Sequence, residues 1–140
     1  MTATGTTPTN PAVRQNPRQV ANTIKRTLNY NDPDVTAAPF AGALPAGAQV
    51  ISQIANVKTA FNAATTNTLV FGTNSTNYNN MCPIAAVNLA ATGVYEVSTG
   101  LGDVGNTSDS VVNAVYSQTG TSATAGQVVI TITYEGGWST

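Results

Sequence analysis

Histidine is missing from the 140-residue chain altogether. That removes the commonest general base and the commonest metal ligand in one step. Cysteine occurs once, at Cys82, which excludes an intrachain disulfide and a cysteine-based zinc site. No base or cation lies near it in sequence to activate the thiol, so Cys82 reads as a small buried apolar residue. Charge is scarce as well. Asp, Glu, Lys and Arg make up 8% of the chain, against roughly a quarter in an ordinary globular protein. Thr, Asn, Ser and Gln fill the difference. Such a surface suits a protein that packs against identical or fixed neighbours, where long charged side chains would lose entropy and solvation. It equally suits a secreted β-protein. No apolar run approaches the length that spans a membrane. The opening "MTATGTTPTNPAV" has neither the basic nor the apolar part of a signal peptide. The expectation is synthesis in a cytosol and exit, if any, by lysis or within an assembly. "NST" at Asn74 and "NTS" at Asn106 match glycosylation acceptors, as a chain this rich in Asn, Ser and Thr does by chance.

The motifs that carry chemistry are also missing. Asp103 and Asp109 flank "GLGDVGNTSD", where a carboxylate pair or a calcium loop is conceivable. In a Gly- and Asn-rich loop without the EF-hand pattern, both read as turn formers. "GLGDVG" spells G-x-G-x-x-G but no amphipathic helix follows it, so it is not a dinucleotide fingerprint. There is no P-loop and no G-x-S-x-G elbow. The chain is expected to have no catalytic residues, no cofactor and no bound metal.

Two parts are expected: an extended N-terminal arm over 1–18 and one domain over 19–140. The arm holds Pro8, Pro11 and Pro17 with Val13 as its one sizeable aliphatic after Met1, too little apolar surface to fold alone. Arg14, Arg18, Lys25 and Arg26 lie in the first 31 residues, which contain no acid; the remainder sets Lys58 against six acids. Either these cations are simply solvated, or the arm docks on an acidic surface such as a neighbouring copy's body. Four cations without an aromatic-lined basic face are a poor footprint for nucleic acid, and none is expected as a partner. Trp138 lies past the last expected strand, as a lid over the core or, preferably, an anchor at an interface. Arg14, Arg18, Lys25, Arg26 and Trp138 are the candidate partner-binding residues.

What the chain does have is alternation. "QVVITITYE" (127–135) puts Val128, Ile130, Ile132 and Tyr134 on one face and Val129, Thr131 and Thr133 on the other. "SVVNAVYSQ" (110–118), "GVYEVS" (93–98) and "TLVFG" (68–72) read as strands. In 16–30 a strand through Ile24, Leu28 and Tyr30 competes with a helix capped at Asn16–Pro17. β-Branched and aromatic residues favour the strand, which "NDPD" closes as a turn. "AAPFAGALPAGA" (37–48) reads as irregular. The ribbon that follows reads as a long strand, with Val50, Ser52, Ile54 and Asn56 on one parity and Ile51, Gln53, Ala55 and Val57 on the other, able to bend across two sheets. "CPIAAVNLAA" (82–91) reads as a strand, with a short helical turn as the alternative. Seven or eight short strands with frequent turns give an all-β fold, an antiparallel β-sandwich or jelly-roll-like domain. Tyr78 and Tyr95, with the polar tract 73–80, are the test pair for a glycan-binding surface.

"LPAGAQVISQIANVKTAFN" (44–62) followed by "NTLVFGTN" (67–74) resembles a pattern in small structural proteins of tailed bacteriophages. "TAGQVVITITYE" (124–135) is similar to the "AG-x-V-x-V-x-V-x-Y" ending of the same proteins. The resemblance covers about 23–135 and leaves out the arm. It implies a virion component, with no catalytic motif to carry over. The expected role is capsid decoration or cement on the head surface, after synthesis in the host cytoplasm. The expected partners are the major capsid protein and further copies of the chain, a trimer being favoured, with no membrane. The alternatives are a fibre-base or glycan-binding adhesion module and a neck or tail connector.

Overall fold

A computed structural model describes residues 21–74, 76–99, 101–103 and 107–136. The expected arm (1–18), Arg14, Arg18 and Trp138 lie outside the described residues. Among those described there are eight strands and no helix: β1 (Ala21–Asn29), β2 (Ala38–Leu44), β3 (Gln49–Thr59), β4 (Thr66–Gly72), β5 (Gly93–Glu96), β6 (Gly102–Asp103), β7 (Ser110–Thr119) and β8 (Gln127–Glu135). One sheet runs β1-β8-β3-β5, with β6 also pairing β3; the other runs β2-β7-β4. Every pairing is antiparallel. The pairs β1 with β8, β2 with β7 and β3 with β6 are those of one long hairpin rolled up on itself, and β1 to β4 alternate between the sheets. That is jelly-roll topology. The fold class read from the sequence is therefore the observed one.

The alternation puts apolar side chains between the sheets. Ile24 lies opposite Ile132 and Leu28 opposite Val128 across β1 and β8, and all four are buried. The strand reading of 22–30 is correct. Asn29 ends β1 because its N–H is taken by Asp32 Oδ2 at 2.8 Å and its carbonyl by Asp32 N at 3.2 Å, which turns the chain. From the other sheet, Tyr116 meets the ring of Phe61, which follows β3, at 4.6 Å, and Phe40 meets Phe71 at 6.3 Å. Gly126 lies so close to Phe61 that a Cβ there would stand 2.4 Å from the ring.

Three readings are corrected. Residues 38–44 form a strand, although 37–48 reads as irregular. Ala38, Phe40 and Leu44 point inward, and a bulge between Pro39 and Ala43 absorbs the proline and glycine. The small residues are needed because β1 comes close: a Cβ on Gly42 would lie 3.0 Å from Ile24 Cγ2. Second, β3 stays within one sheet, and its two parities do not persist along it. A register shift between Val50 and Ser52 moves burial from Val50 to Gln53, Ala55 and Val57, leaving Ile51 exposed. Third, 82–91 is not a strand. Pro83 has no N–H to continue the single bridge between Cys82 and Phe71, and its carbonyl accepts from Ala86 N in a turn. Asn88 Oδ1 then accepts from Ala90 N, a local bond that competes with any ladder. The segment is apolar because it is a cover: Val87 and Leu89 are buried.

The β3 shift carries Gln53 into the core, where it is 1% exposed. Its Nε2 donates to Met81 O and Val97 O, each at 3.1 Å, and to Thr99 O. The amide thus clasps the 81–99 segment to β3. Gln53 Oε1 is buried without a hydrogen-bond partner.

Candidate binding cleft and the charged residues

The two sheets differ in charge. None of β2, β4 and β7 contains an Asp, Glu, Lys or Arg. The strands of the other sheet hold Lys25, Arg26, Lys58, Glu96, Asp103 and Glu135. Outward side chains of β4 and β7 meet in register, Thr68 beside Ser117 and Val70 beside Val115. These four form the floor of a cleft of about 490 Å³. Thr76, Asn77 and Asn79 stand over it from the loop after β4, with Pro83, Ile84 and, from the β1–β2 connection, Thr36. Ile84 is 62% exposed, which makes it the apolar rim.

The loop is held by its asparagines. Asn80 Oδ1 accepts from Thr73 N at 2.8 Å, and Asn74 Oδ1 accepts from Asn79 N at 2.8 Å and Asn80 N at 3.2 Å. Asn74 Nδ2 donates to Asn79 Oδ1, and Tyr78 N donates to Asn74 O. Thr76 and Tyr78 both have positive φ, 76° and 47°. For a β-branched residue this is strained backbone, retained only where the surroundings fix it.

Of the candidate partner-binding residues, Lys25 and Arg26 are the two among the described residues. Lys25 is exposed on the outer face of β1, in the register row of Thr131, Ile54 and Glu96. Arg26 has the inward parity of Ile24 and Leu28. Its Nη2 lies 2.8 Å from Asp34 Oδ1 and 3.8 Å from Asp32 Oδ2, and its Nη1 donates to Pro39 O at 3.4 Å. Arg26 therefore fastens β1 to the β1–β2 turn and to β2. Asp109 Oδ1 accepts from Ala46 N at 3.2 Å, tying the start of β7 to the "LPAGA" turn. Among the described residues, no group of three or more Cys, Asp or Glu is placed to hold a metal ion.

Cys82 is buried, and burial pushes its thiol up to about 12, against a smaller lowering by a hydrogen bond from the Phe71 backbone. It packs and stays protonated. Tyr95 shares a register position with core-facing Ala55 and packs against the core, its hydroxyl donating to Ala91 O. Tyr78 is not among the cleft-lining residues. The tyrosine pair is thus not the centre of the cleft. What the sequence did mark is the tract 73–80; the floor residues are separated from it in sequence and join it only through sheet register.

No protein-family model matches the chain, and no curated protein does. Among solved structures, the chain is similar to one in the acidic stable capsid structure of Helicobacter pylori bacteriophage KHP30. There the TM-score is 0.59 and the identity 21%, over 84% of this chain and 88% of that one. It is also similar to a chain of the cyanophage Pam1 capsid asymmetric unit, with a TM-score of 0.52 and 19% identity over 81% and 83%. At these identities the likeness is one of fold.

Proposed function

We propose that the protein is a structural component of a bacteriophage virion and, more narrowly, a decoration or cement protein of the head. The observation that carries the reading is the fold: a jelly roll similar, over four-fifths or more of each chain, to chains of two phage capsid structures. The composition supports it. A chain with 8% charge and no histidine is suited to lying against fixed neighbours and lacks the usual group for proton transfer. On this reading the protein has no catalytic activity. Its partners are the major capsid protein and other copies of itself, as a trimer. The arm over 1–18 brings Arg14 and Arg18 to a neighbouring subunit, with exposed Lys25 at the root of the arm and Trp138 at the other terminus. The mechanism is linkage. A protein that binds only the assembled lattice stabilises that state by mass action, and several weak contacts per oligomer multiply into a strong one.

Copy number and truncation test this. Quantitative mass spectrometry of purified particles should find the protein in amounts comparable to the major capsid protein. A few dozen copies or fewer would instead point to a fibre or connector. Deleting residues 1–18 should leave the domain folded, with an unchanged β-type circular dichroism spectrum, and abolish binding to heads. Full occupancy by the truncated protein would refute the role of the arm.

A further inference from the structure

We infer that the cleft on the outer face of the β2–β7–β4 sheet is a binding site for a neutral saccharide. Four observations carry this. No lining residue is charged, and neither is any residue of the three strands beneath. A phosphate, carboxylate or ammonium group would lose hydration there without gaining a counter-ion. The polar groups that are present are hydroxyls and side-chain amides, those of Thr68, Ser117, Thr76 and Asn77 among them, around an apolar strip of Val70 and Val115. A sugar ring has the matching surface, with hydroxyls at its rim that both donate and accept and a C–H face between them. The volume of about 490 Å³ lies within the range of small-molecule sites, roughly 300–1,000 Å³.

The fourth observation is that the rim is prepared in advance. Asn74 and Asn80 hold the loop through six hydrogen bonds to residues 73–80. Between these two asparagines Thr76 has a left-handed conformation that Gly or Asn would adopt at lower cost. A strained β-branched residue beside a cleft is a reason to look for a ligand that uses it. An extended peptide is the competing occupant, and the uncharged first thirteen residues of this same chain would be one. Peptides of that kind are recognised by main-chain pairing along a sheet edge. At the edge of β4 the Phe71 carbonyl already accepts from Met81 N and Cys82 N, and Cys82 bridges Phe71, so the edge beside the cleft is already taken there. The cleft offers side chains on a sheet face, which favours the saccharide.

The test is a titration of the full-length, isotope-labelled protein followed by backbone amide shifts. The uncharged probes are maltotetraose, cellotetraose and chitotetraose; the charged ones are sialyllactose and a heparin tetrasaccharide. At least one uncharged probe should shift the amides of residues 68–70, 76–79 and 115–117, and the charged ones should not. Ser117→Arg, at an exposed position, should abolish those shifts in a folded protein. Thr76→Gly should raise the melting temperature while weakening binding about fivefold, the worth of one net hydrogen bond. A purely structural loop would gain stability without losing affinity. The inference is overturned if no uncharged probe binds at millimolar concentration, if Ser117→Arg binds normally, or if only a synthetic peptide of residues 1–13 shifts the cleft. None of these outcomes bears on whether the protein resides in the virion, which copy number decides separately.

Discussion

Gln53→Glu changes one NH₂ group into an oxygen and should make the stability of the whole sandwich depend on pH. The wild-type amide donates to the carbonyls of Met81 and Val97, both buried, and to that of Thr99. A protonated carboxyl group has one donor to offer in place of two, which leaves at least one buried carbonyl unpaired at a cost of about 1–3 kcal/mol. An ionised carboxylate has none, and it would face three carbonyl oxygens from a position only 1% exposed to solvent. Burial first, and the carbonyl dipoles second, must raise its folded pKa above the unfolded value of about 4.3. The sign follows. A raised folded pKa means that stability is retained below about pH 4.3 and lost as pH rises toward the folded pKa, by ~1.4 kcal/mol per unit. If the folded pKa exceeds 7, the added loss at neutral pH is about 3.7 kcal/mol. Together these consume much of a typical domain stability of ~5–15 kcal/mol.

Urea denaturation at about pH 4 and about pH 7 reads the difference directly as a midpoint shift. The variant should be the more stable at the lower pH once the wild type's own pH dependence is subtracted. Gln53→Leu is the control. It leaves the two buried carbonyls unpaired and should cost about 2–5 kcal/mol equally at both values. Equal destabilisation of Gln53→Glu at the two pH values would refute the reasoning, because the carboxylate would then be ionising in the folded protein at no extra cost.

Two further outcomes are expected. Ile130→Asp or Ile132→Asp puts an unpaired charge between the sheets, where both residues are fully buried, and should abolish soluble expression through a loss of several kcal/mol; normal melting of either variant would overturn the face assignment of β8. Cys82 should resist a thiol reagent in the native protein and react in urea. Its pKa, raised to about 12, further requires stability to fall between about pH 9 and 12 by up to ~1.4 kcal/mol per unit, as the unfolded chain releases a proton that the folded one keeps; Cys82→Ala should lack that component in alkaline denaturation curves.

Residue pattern and structure agree where the physics is local. In β8 each odd-numbered residue faces out and Val128, Ile130 and Ile132 face in, because nothing interrupts the two-residue period. β1 is legible despite Arg26 on its inner parity, since Ile24 and Leu28 still mark the buried face. The misreadings have a common cause, which is tertiary. One extra residue at the β3 bulge reverses parity and hides a buried glutamine among residues that look solvent-facing. β2 carries a glycine at 42 because β1 approaches there, and no local propensity encodes that. The apolar content of 82–91 comes from packing into the core, where Val87 and Leu89 are buried, and its pairing is limited to the single Cys82–Phe71 bridge. The cleft was half legible: the Asn- and Thr-rich tract signalled a structured loop, but its partners on β7 are about forty residues away and come into place only through the β4–β7 register.

Scarce charge has a further consequence for assembly. Sheet edges are usually protected from unwanted pairing by lysines and other charges, and this chain has few to spend. Geometry protects them instead. At one side, β1 and β2 are drawn together by the Ile24–Gly42 contact and by Arg26, which reaches both the Pro39 carbonyl and Asp34. At β4, Met81 N and Cys82 N both donate to Phe71 O, and Cys82 bridges Phe71, so residues 81–82 stand where a further strand would otherwise extend the sheet. The remaining edge strands, β5 and β6, are only four and two residues long, too short to template a ladder. With its edges closed, a sandwich of this kind can associate through its faces and termini and still avoid edge-to-edge aggregation. The face with no charge to desolvate is that of β2, β7 and β4, so contacts with a neighbouring subunit or with a sugar compete for the same surface. Head binding by the Ser117→Arg variant would show which of the two uses it: loss of binding places the subunit contact on that face, and full binding assigns the contact to the charged sheet and the termini.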